Sequence, residues 1–289
     1  MSWRTVIIAN RCKLDYKSGH LVIRGEETKR VVLDEISTII VESTAVSLTT
    51  YLLSELTERK IKVIFCDARR NPSSELASIY GCHDCSQKLK RQLGWDPDIK
   101  SYVWTEIVSE KIRQQKQFLL DEDKVEEALL LQSYIENLEF NDVTNREGHA
   151  AKVYFNALFG KEFSRSEDCV TNAALNYGYS LILSFINREV VGSGYLTQLG
   201  LFHDNMFNYY NFSCDLMEPY RVIIDRFVFD RAYSKFETEE KHELVGILNS
   251  SVTINGTKQY LGNALKLYCH SVFDALNDRD VSLIKHYSL

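Results

Sequence analysis

Apolar residues change their period once along this 289-residue chain, and that change limits its possible folds more than any other feature. As far as Cys66 they fall in short β-rich runs, 4–9, 13–16, 21–24, 30–33, 38–41 and 62–66, with Lys17-Ser18-Gly19 supplying a hairpin turn. Leu48, Tyr51, Leu52, Leu53 and Leu56 interrupt them at helical spacing and predict one short amphipathic helix. Beyond Gln87 the recurrence is three and four residues, which predicts helices over 101–119, 124–140, 146–159, 172–187, 194–209, 213–233 and 261–276. Asn255-Gly256 marks a hairpin at 251–260 inside that helical part. Three prolines and thirteen glycines in the whole chain favour long helices with few turns. The expected class is α+β: a small, β-sandwich-like N-terminal domain over 1–76, a loop-like linker over 77–86, and a larger, mainly α-helical domain over 87–289.

A hydrophobic fraction of 45% with a net charge of only -6 excludes a disordered chain. No apolar run reaches the length of a membrane span, and the seven scattered cysteines follow no secretory signal, so the sequence predicts a soluble protein of the reducing cytoplasm with no membrane partner. The acidic balance argues against nucleic acid as a partner, because counterion release needs clustered lysine and arginine. A local cluster overrides the total: residues 86–120 hold seven basic side chains, Lys88, Lys90 and Arg91 among them, against four acidic ones. Trp95, Tyr102 and Trp104 in the same segment suit base stacking. A plain surface helix explains the same pattern.

Candidate chemistry is densest in 199–221, LGLFHDNMFNYYNFSCDLMEPYR, where His203 precedes Glu218 by fifteen positions and Asp215 and Arg221 flank Glu218 three residues to either side. On one helix Asp215, Glu218 and Arg221 share a ridge, and Asp225 extends it. Two carboxylates about 4 Å apart repel by about 4 kcal/mol at an effective dielectric near 20, which a divalent ion relieves. Arg221 then serves as a fork donor to phosphate or clamps Glu218. Glu147 heads a stripe of Ala151, Tyr154 and Leu158 turned toward the core, a costly place for a carboxylate unless it has a partner, a metal or the helix dipole. Arg165 precedes Asn172, Asn176, Tyr177 and Tyr179, groups suited to a polar cleft or to helix ends. Cys82-His83-Asp84-Cys85 is half of a zinc site and lacks the second pair of ligands. His83 and His149 remain reserve ligands.

The blocks REGHAAKVYFNALFG, NAALNYGYSLI, LGLFHDN and CDLMEPYR, in that order, resemble the CRISPR adaptation integrase family, and the glutamate in DLMEPYR, where many members have aspartate, resembles its type II subtype. The resemblance implies an N-terminal β domain that forms a homodimer and a helical catalytic domain with one Mg²⁺ or Mn²⁺ site. Its metal ligands and catalytic residues would be Glu147, His203 and Glu218. Tyr154, Arg165, Asp215 and Arg221 would support the site or hold DNA; separately from the resemblance, the basic segment 86–120 is expected to place Lys88 and Arg91 on the DNA backbone. The implied substrates are foreign DNA fragments with 3′ ends (prespacers) and the leader-repeat junction of the CRISPR array. The implied partners are a small companion Cas protein bridging two dimers and, in type II systems, the effector nuclease and an accessory DNA-binding protein.

The implied reaction is attack of a fragment's 3′-hydroxyl on a phosphodiester of the repeat, with endonuclease cleavage as a further activity. Two carboxylates and one imidazole leave several positions of an octahedral ion open for it, and the imidazole makes Mn²⁺ a rival to Mg²⁺. Two other readings remain: an HD-type metal phosphohydrolase using His203-Asp204 with His149 and Asp225, and a non-catalytic DNA-binding scaffold.

Overall fold

A computed structural model of the protein describes residues 4–76 and 82–289. The chain divides into two compact units, Met1–Gly81 and Cys82–Leu289.

The first unit is built from β1 (Arg4–Ile8), β2 (Cys12–Lys17), β3 (His20–Arg24), β4 (Thr28–Val32), β5 (Ile36–Val41), β6 (Val46–Leu48), α1 (Thr50–Glu58), β7 (Lys62–Cys66) and β8 (Pro72–Glu75). They form two four-stranded sheets, β1-β5-β7-β8 and β4-β3-β2-β6. Ile8, Ile39, Val41 and Val63 from the first, Leu14 and Leu21 from the second, and Leu52 and Leu56 of α1 meet in one core, which is the expected sandwich-like arrangement. The β2–β3 hairpin turns at Ser18-Gly19, both with positive φ. β8 lies outside the predicted β-rich runs: Asn71-Pro72-Ser73-Ser74 has turn composition, yet proline is tolerated at the first position of an edge strand, and β7 supplies its pairing.

The second unit opens with α2 (Cys85–Leu93), which begins inside the stretch expected as a linker, whose residues 77–81 lie outside the described residues. There follow α3 (Pro97–Asp121), α4 (Val125–Glu136), α5 (Arg146–Phe159), α6 (Val170–Gly192), α7 (Asn211–Met217), a single 3₁₀ turn Glu218–Tyr220, α8 (Arg221–Arg231) and α9 (Thr238–Val245). The hairpin β9 (Ser251–Ile254) and β10 (Thr257–Tyr260) turns at Asn255-Gly256, both with positive φ, and α10 (Leu261–Asp278) and β11 (Tyr287–Ser288) close the unit. α3 starts where Asp96 caps and Pro97 occupies the first helical position, and it packs on α4, α5, α8 and α10 as the central rod.

Two expected helices differ. Residues 194–209 are turns rather than a helix, because Asn205 and Asn208 hold the backbone in local turns and Asp215 captures the amides of Leu201, Phe202 and His203. The expected helix 213–233 runs as α7, a 3₁₀ turn and α8 in continuous right-handed helical backbone, tightened at Glu218–Tyr220 where Pro219 lacks an amide donor. α6 and α8 touch at Gly178, where an added Cβ would overlap Ile224 Cγ2 and lie 3.1 Å from its Cδ1. Gly178→Ala is therefore expected to destabilise this unit by about 1–2 kcal/mol, overpacking outweighing the gain in helix propensity, as read from urea denaturation.

Candidate active site

Six separate segments of the second unit converge on a cavity of about 280 Å³. Asp142 accepts the backbone N–H of Arg146 at 2.6 Å and of Glu147 at 3.1 Å, while Asn145 caps the helix by accepting from Gly148 at 3.3 Å. Glu147 is thus fixed in the first turn of α5 with its carboxylate on the cavity. Glu218, 4% exposed, opens the 3₁₀ turn after α7 and lines the same space.

His203 owes its place to Asp215, which is fully buried and uses both oxygens. Oδ2 accepts from Leu201 N at 2.6 Å and Phe202 N at 3.3 Å, and Oδ1 from His203 N at 3.1 Å and His203 Nδ1 at 2.6 Å. That bond fixes the proton on Nδ1 and leaves Nε2 free to take a ligand. It also raises the imidazole pKa, against the opposing effect of burial. Phe202 stacks on Trp104 at 4.6 Å and pins the loop to α3.

What joins Glu147 to Glu218 is Lys111 of α3, a residue the sequence places only in a basic surface segment. Its Nζ donates to Glu147 Oε1 and, at 2.5 Å, to Glu218 Oε2. Burial pulls the ammonium pKa down, but the two carboxylates outweigh it and the net shift is upward. Arg221 holds the other oxygen of Glu218 through Nε at 3.0 Å and lies 4.7 Å over the Tyr179 ring. Burial would raise the Glu218 pKa, yet Arg221 and Lys111 prevail and hold it at about 2. Arg165 donates to Asn172 and, at 2.7 Å, to Asn176, with its guanidinium over Phe155 and Tyr179.

Asp225 lies on the same cavity, accepting from the Tyr179 hydroxyl and, at 3.1 Å, from the Tyr154 hydroxyl. Burial pushes its pKa up to about 6. The gap between an ordinary aspartate and one near 6 corresponds to about 3 kcal/mol. Because the folded pKa is the higher one, this stability is present below pH 4 and lost as pH rises to 6. Asp225→Asn is expected to remove that loss, giving a variant progressively more stable than the wild type between pH 4 and pH 6, by up to about 3 kcal/mol above it in urea denaturation.

The site thus brings together Glu147, His203, Glu218, Arg165, Arg221 and Asp225 from the expected set, with Asp215 and Tyr154 behind them. Asp215, Glu218 and Arg221 follow one another along helical backbone, and they do not form a solvated face: both carboxylates are buried, Asp215 against the loop that carries His203 and Glu218 on the cavity. Asp204 is exposed, and His149 is exposed beside the Tyr134 ring, 6.3 Å between centroids. Lys90 and Arg91 are exposed on α2 and Lys88 is half-buried, but Trp95 and Trp104 are core residues and cannot stack on bases. Tyr102 alone of the three aromatics is exposed. Cys82 and Cys85 place their sulfurs 3.4 Å apart, and no third metal-binding group joins them among the described residues.

Likewise no three His, Cys, Asp or Glu side chains around the cavity are arranged as a finished ion site among the described residues. The chemistry of the donors nevertheless fits a divalent ion. Two carboxylates already converge on one cation, and the imidazole has its Nδ1 tied to a carboxylate, as metal-bound histidines usually do.

Fold and cavity together define a class: a two-unit α+β chain whose helical unit gathers carboxylates, an imidazole and guanidinium groups in one polar pocket. The sequence pattern of the family described as CRISPR associated protein Cas1 matches residues 5–261, and the chain belongs to that family. The CRISPR-associated endonuclease Cas1 of Neisseria meningitidis serogroup C is 34% identical over 227 residues, covering 78% of this chain and 74% of that protein. Among solved structures, a casposase bound to integration product has a TM-score of 0.78 at 16% identity, over 96% of this chain and 91% of its own. A Cas6-RT-Cas1--Cas2 complex has a TM-score of 0.73 at 16% identity, over 97% of this chain, which spans 36% of the matched chain. No described helix is long and apolar enough to cross a membrane.

Proposed function

We propose that this chain is a metal-dependent DNA integrase of CRISPR adaptation, which joins the 3′-OH ends of foreign DNA fragments to the CRISPR repeat. One observation carries the reading: Glu147, His203 and Glu218, from distant parts of the sequence, line a single cavity with Arg165 and Arg221 on its wall. The name of the Neisseria relative and the product bound to the casposase agree with it.

Glu147, Glu218 and His203 Nε2 would hold Mg²⁺ or Mn²⁺, which when bound lowers the pKa of the attacking hydroxyl and offsets charge at phosphorus. In the reaction the fragment's 3′-oxygen forms a bond to a repeat phosphorus, a bridging P–O bond of the repeat breaks, and the attacking hydroxyl's proton is lost while the leaving 3′-oxygen gains one. No protein nucleophile is needed. Arg165 and Arg221 bind and orient phosphate oxygens. Stacking on Tyr179 fixes both guanidinium planes beforehand. Tyr154 acts through Asp225 as a positioning residue. With water in place of the hydroxyl, the same site performs endonuclease cleavage. The exposure of Asp204 disfavours the His203-Asp204 phosphohydrolase.

The partners in this reading are the companion Cas protein, a second copy of the chain through the β unit, and, in a type II system, the effector nuclease and its accessory DNA-binding protein. Lys88, Lys90 and Arg91 meet the DNA backbone. Reversing all three to glutamate is expected to weaken DNA binding and to flatten its salt dependence by about one log unit per log unit of salt for each phosphate that is no longer neutralised.

The deciding experiment joins a labelled DNA fragment to a repeat-bearing plasmid, with and without the companion protein, in Mg²⁺, Mn²⁺ or chelator. Joining should need the metal and vanish in His203→Ala but survive in Asp204→Ala. Equal loss in both favours the phosphohydrolase, full joining by Glu147→Ala removes that residue from the catalytic set, and DNA binding without joining by the wild type in either metal leaves only the scaffold.

A further inference from the structure

Lys111 stands on the interior ridge of α3, with Trp104, Ile107, Val108, Ile112 and Phe118 all buried on the same helix. A lysine there costs desolvation and the rotamer freedom of a long side chain, so its placement calls for a specific use. Its ammonium is bonded to both carboxylates that the proposed metal site requires. One turn further along the same ridge, Gln115 is 1% exposed and lines the same cavity, and its carbonyl Oε1 has no hydrogen-bond partner among the described residues. That carbonyl is an acceptor on the cavity wall within reach of Lys111 that no other described protein group uses.

We infer that Lys111 is a resident counter-cation, which holds Glu147 and Glu218 together in the metal-free protein, yields their carboxylates to a divalent ion, and moves its ammonium to the Gln115 carbonyl. The inference rests on the metal-site reading above. Residues four apart on a helix are neighbours, about 5–6 Å between Cβ atoms, well within the sweep of a lysine side chain. Charge balance gives the exchange a purpose. Glu147, Glu218 and Asp225 face Lys111, Arg165 and Arg221 on the cavity, three of each sign. The lysine lets two carboxylates, Glu218 buried and Glu147 half-buried, stay close without repulsion before the ion arrives. Since Lys111 shifts within the cavity and does not leave it, the ion adds its two positive charges in full, a surplus suited to the phosphate groups of two DNA strands. An ammonium that merely braced the fold would instead stay in place, and the ion would have to find other donors.

Binding of Mn²⁺ alone to the full chain, read as loss of the free-ion electron paramagnetic resonance signal, tests the exchange without any reaction. Lys111→Met removes the competitor and should tighten Mn²⁺ binding at least tenfold. Gln115→Leu removes the receiving acceptor and should weaken it several-fold, whereas in the Lys111→Met background the same change should do nothing, because there is no ammonium left to receive. In the wild type, acylation of Lys111 by an amine-reactive ester, followed by mass spectrometry, should accelerate several-fold at saturating Mn²⁺, a readout that needs no variant to fold. Equal or weaker Mn²⁺ binding by Lys111→Met, or unchanged Lys111 acylation, overturns the exchange while leaving the metal site intact. Failure of the wild type itself to bind Mn²⁺ overturns the metal site and the exchange together.

Discussion

Glu218→Ala is expected to lose strand joining by about 10²–10³-fold or more and, independently of any DNA, to cost the second unit about 3–5 kcal/mol in urea denaturation. The second effect follows from what the carboxylate holds. Lys111 and Arg221 both lie against Glu218, and truncation leaves a buried ammonium and a half-buried guanidinium with Glu147, Asp225 and a tyrosine face as their remaining neighbours. Removing one partner of a buried ion pair is far more damaging than replacing the whole pair, because the remaining charge stays desolvated. Glu218→Gln separates the two effects. It keeps the volume and an acceptor for Arg221, so most of the stability should return while joining stays lost. A Glu218→Gln protein that joins DNA at the wild-type rate would show that the carboxylate's charge is not used in the reaction. The pH dependence has a definite sign as well: since Glu218 is held at about 2, its contribution to stability is complete above pH 5, falls progressively as pH drops below its ordinary carboxylate value, and is gone below about pH 2.

The pattern of residues carries the strands of the β unit other than β6 and β8, and the helices of α3 to α6, because both periods are written locally in the apolar positions. It does not carry the loop 194–209, whose leucines and aromatics recur at helical spacing. What decides that loop is a carboxylate on a later helix, and a tertiary capture of backbone amides has no local signature. Glu147, His203 and Glu218 are legible as a group only through the order of four sequence blocks; their meeting in one cavity is a property of packing. Lys111 illustrates a signal that is present and easily missed. It occupies the i+4 position after Ile107 and precedes Gln115 by four, inside a run of buried apolar residues, so its spacing alone marks it as an interior lysine. Counted with the exposed Lys90 and Arg91, it reads as one more basic residue of a surface segment. Trp95 and Trp104 mislead in the same way: their ring surfaces suit base stacking, and burial against Phe212 and Phe202 uses those surfaces inside the fold.

Asp215→Ala is expected to reduce joining by about 10²-fold or more and to destabilise the segment around His203 by about 3–5 kcal/mol, although Asp215 itself does not line the cavity and acts only through His203 and its neighbours. Its two oxygens are the acceptors for three successive backbone amides and for the imidazole, so alanine leaves four donors without partners in the interior. The loss should be local. Limited proteolysis should cut between 199 and 210, where Met206 and Phe207 are already more than 80% exposed, while the β unit keeps its wild-type unfolding transition. The imidazole reports the same event from a second side. The Asp215 hydrogen bond is the main reason the His203 pKa is raised, so in the variant it should fall toward its ordinary value, as read by NMR titration of the ring. The sign of the linkage follows: the stabilising effect of this pair is complete while His203 is protonated and fades as pH rises through its raised pKa, so the wild type's advantage over the variant should be larger at pH 6 than at pH 8. The ring is part-exposed, and solvent screening keeps that pH-dependent share small beside the loss of the three amide bonds. An Asp215→Ala protein with an intact 199–210 segment and an unchanged His203 titration would mean that the loop is held from elsewhere, and His203 would then owe its aim into the cavity to the Trp104–Phe202 stack.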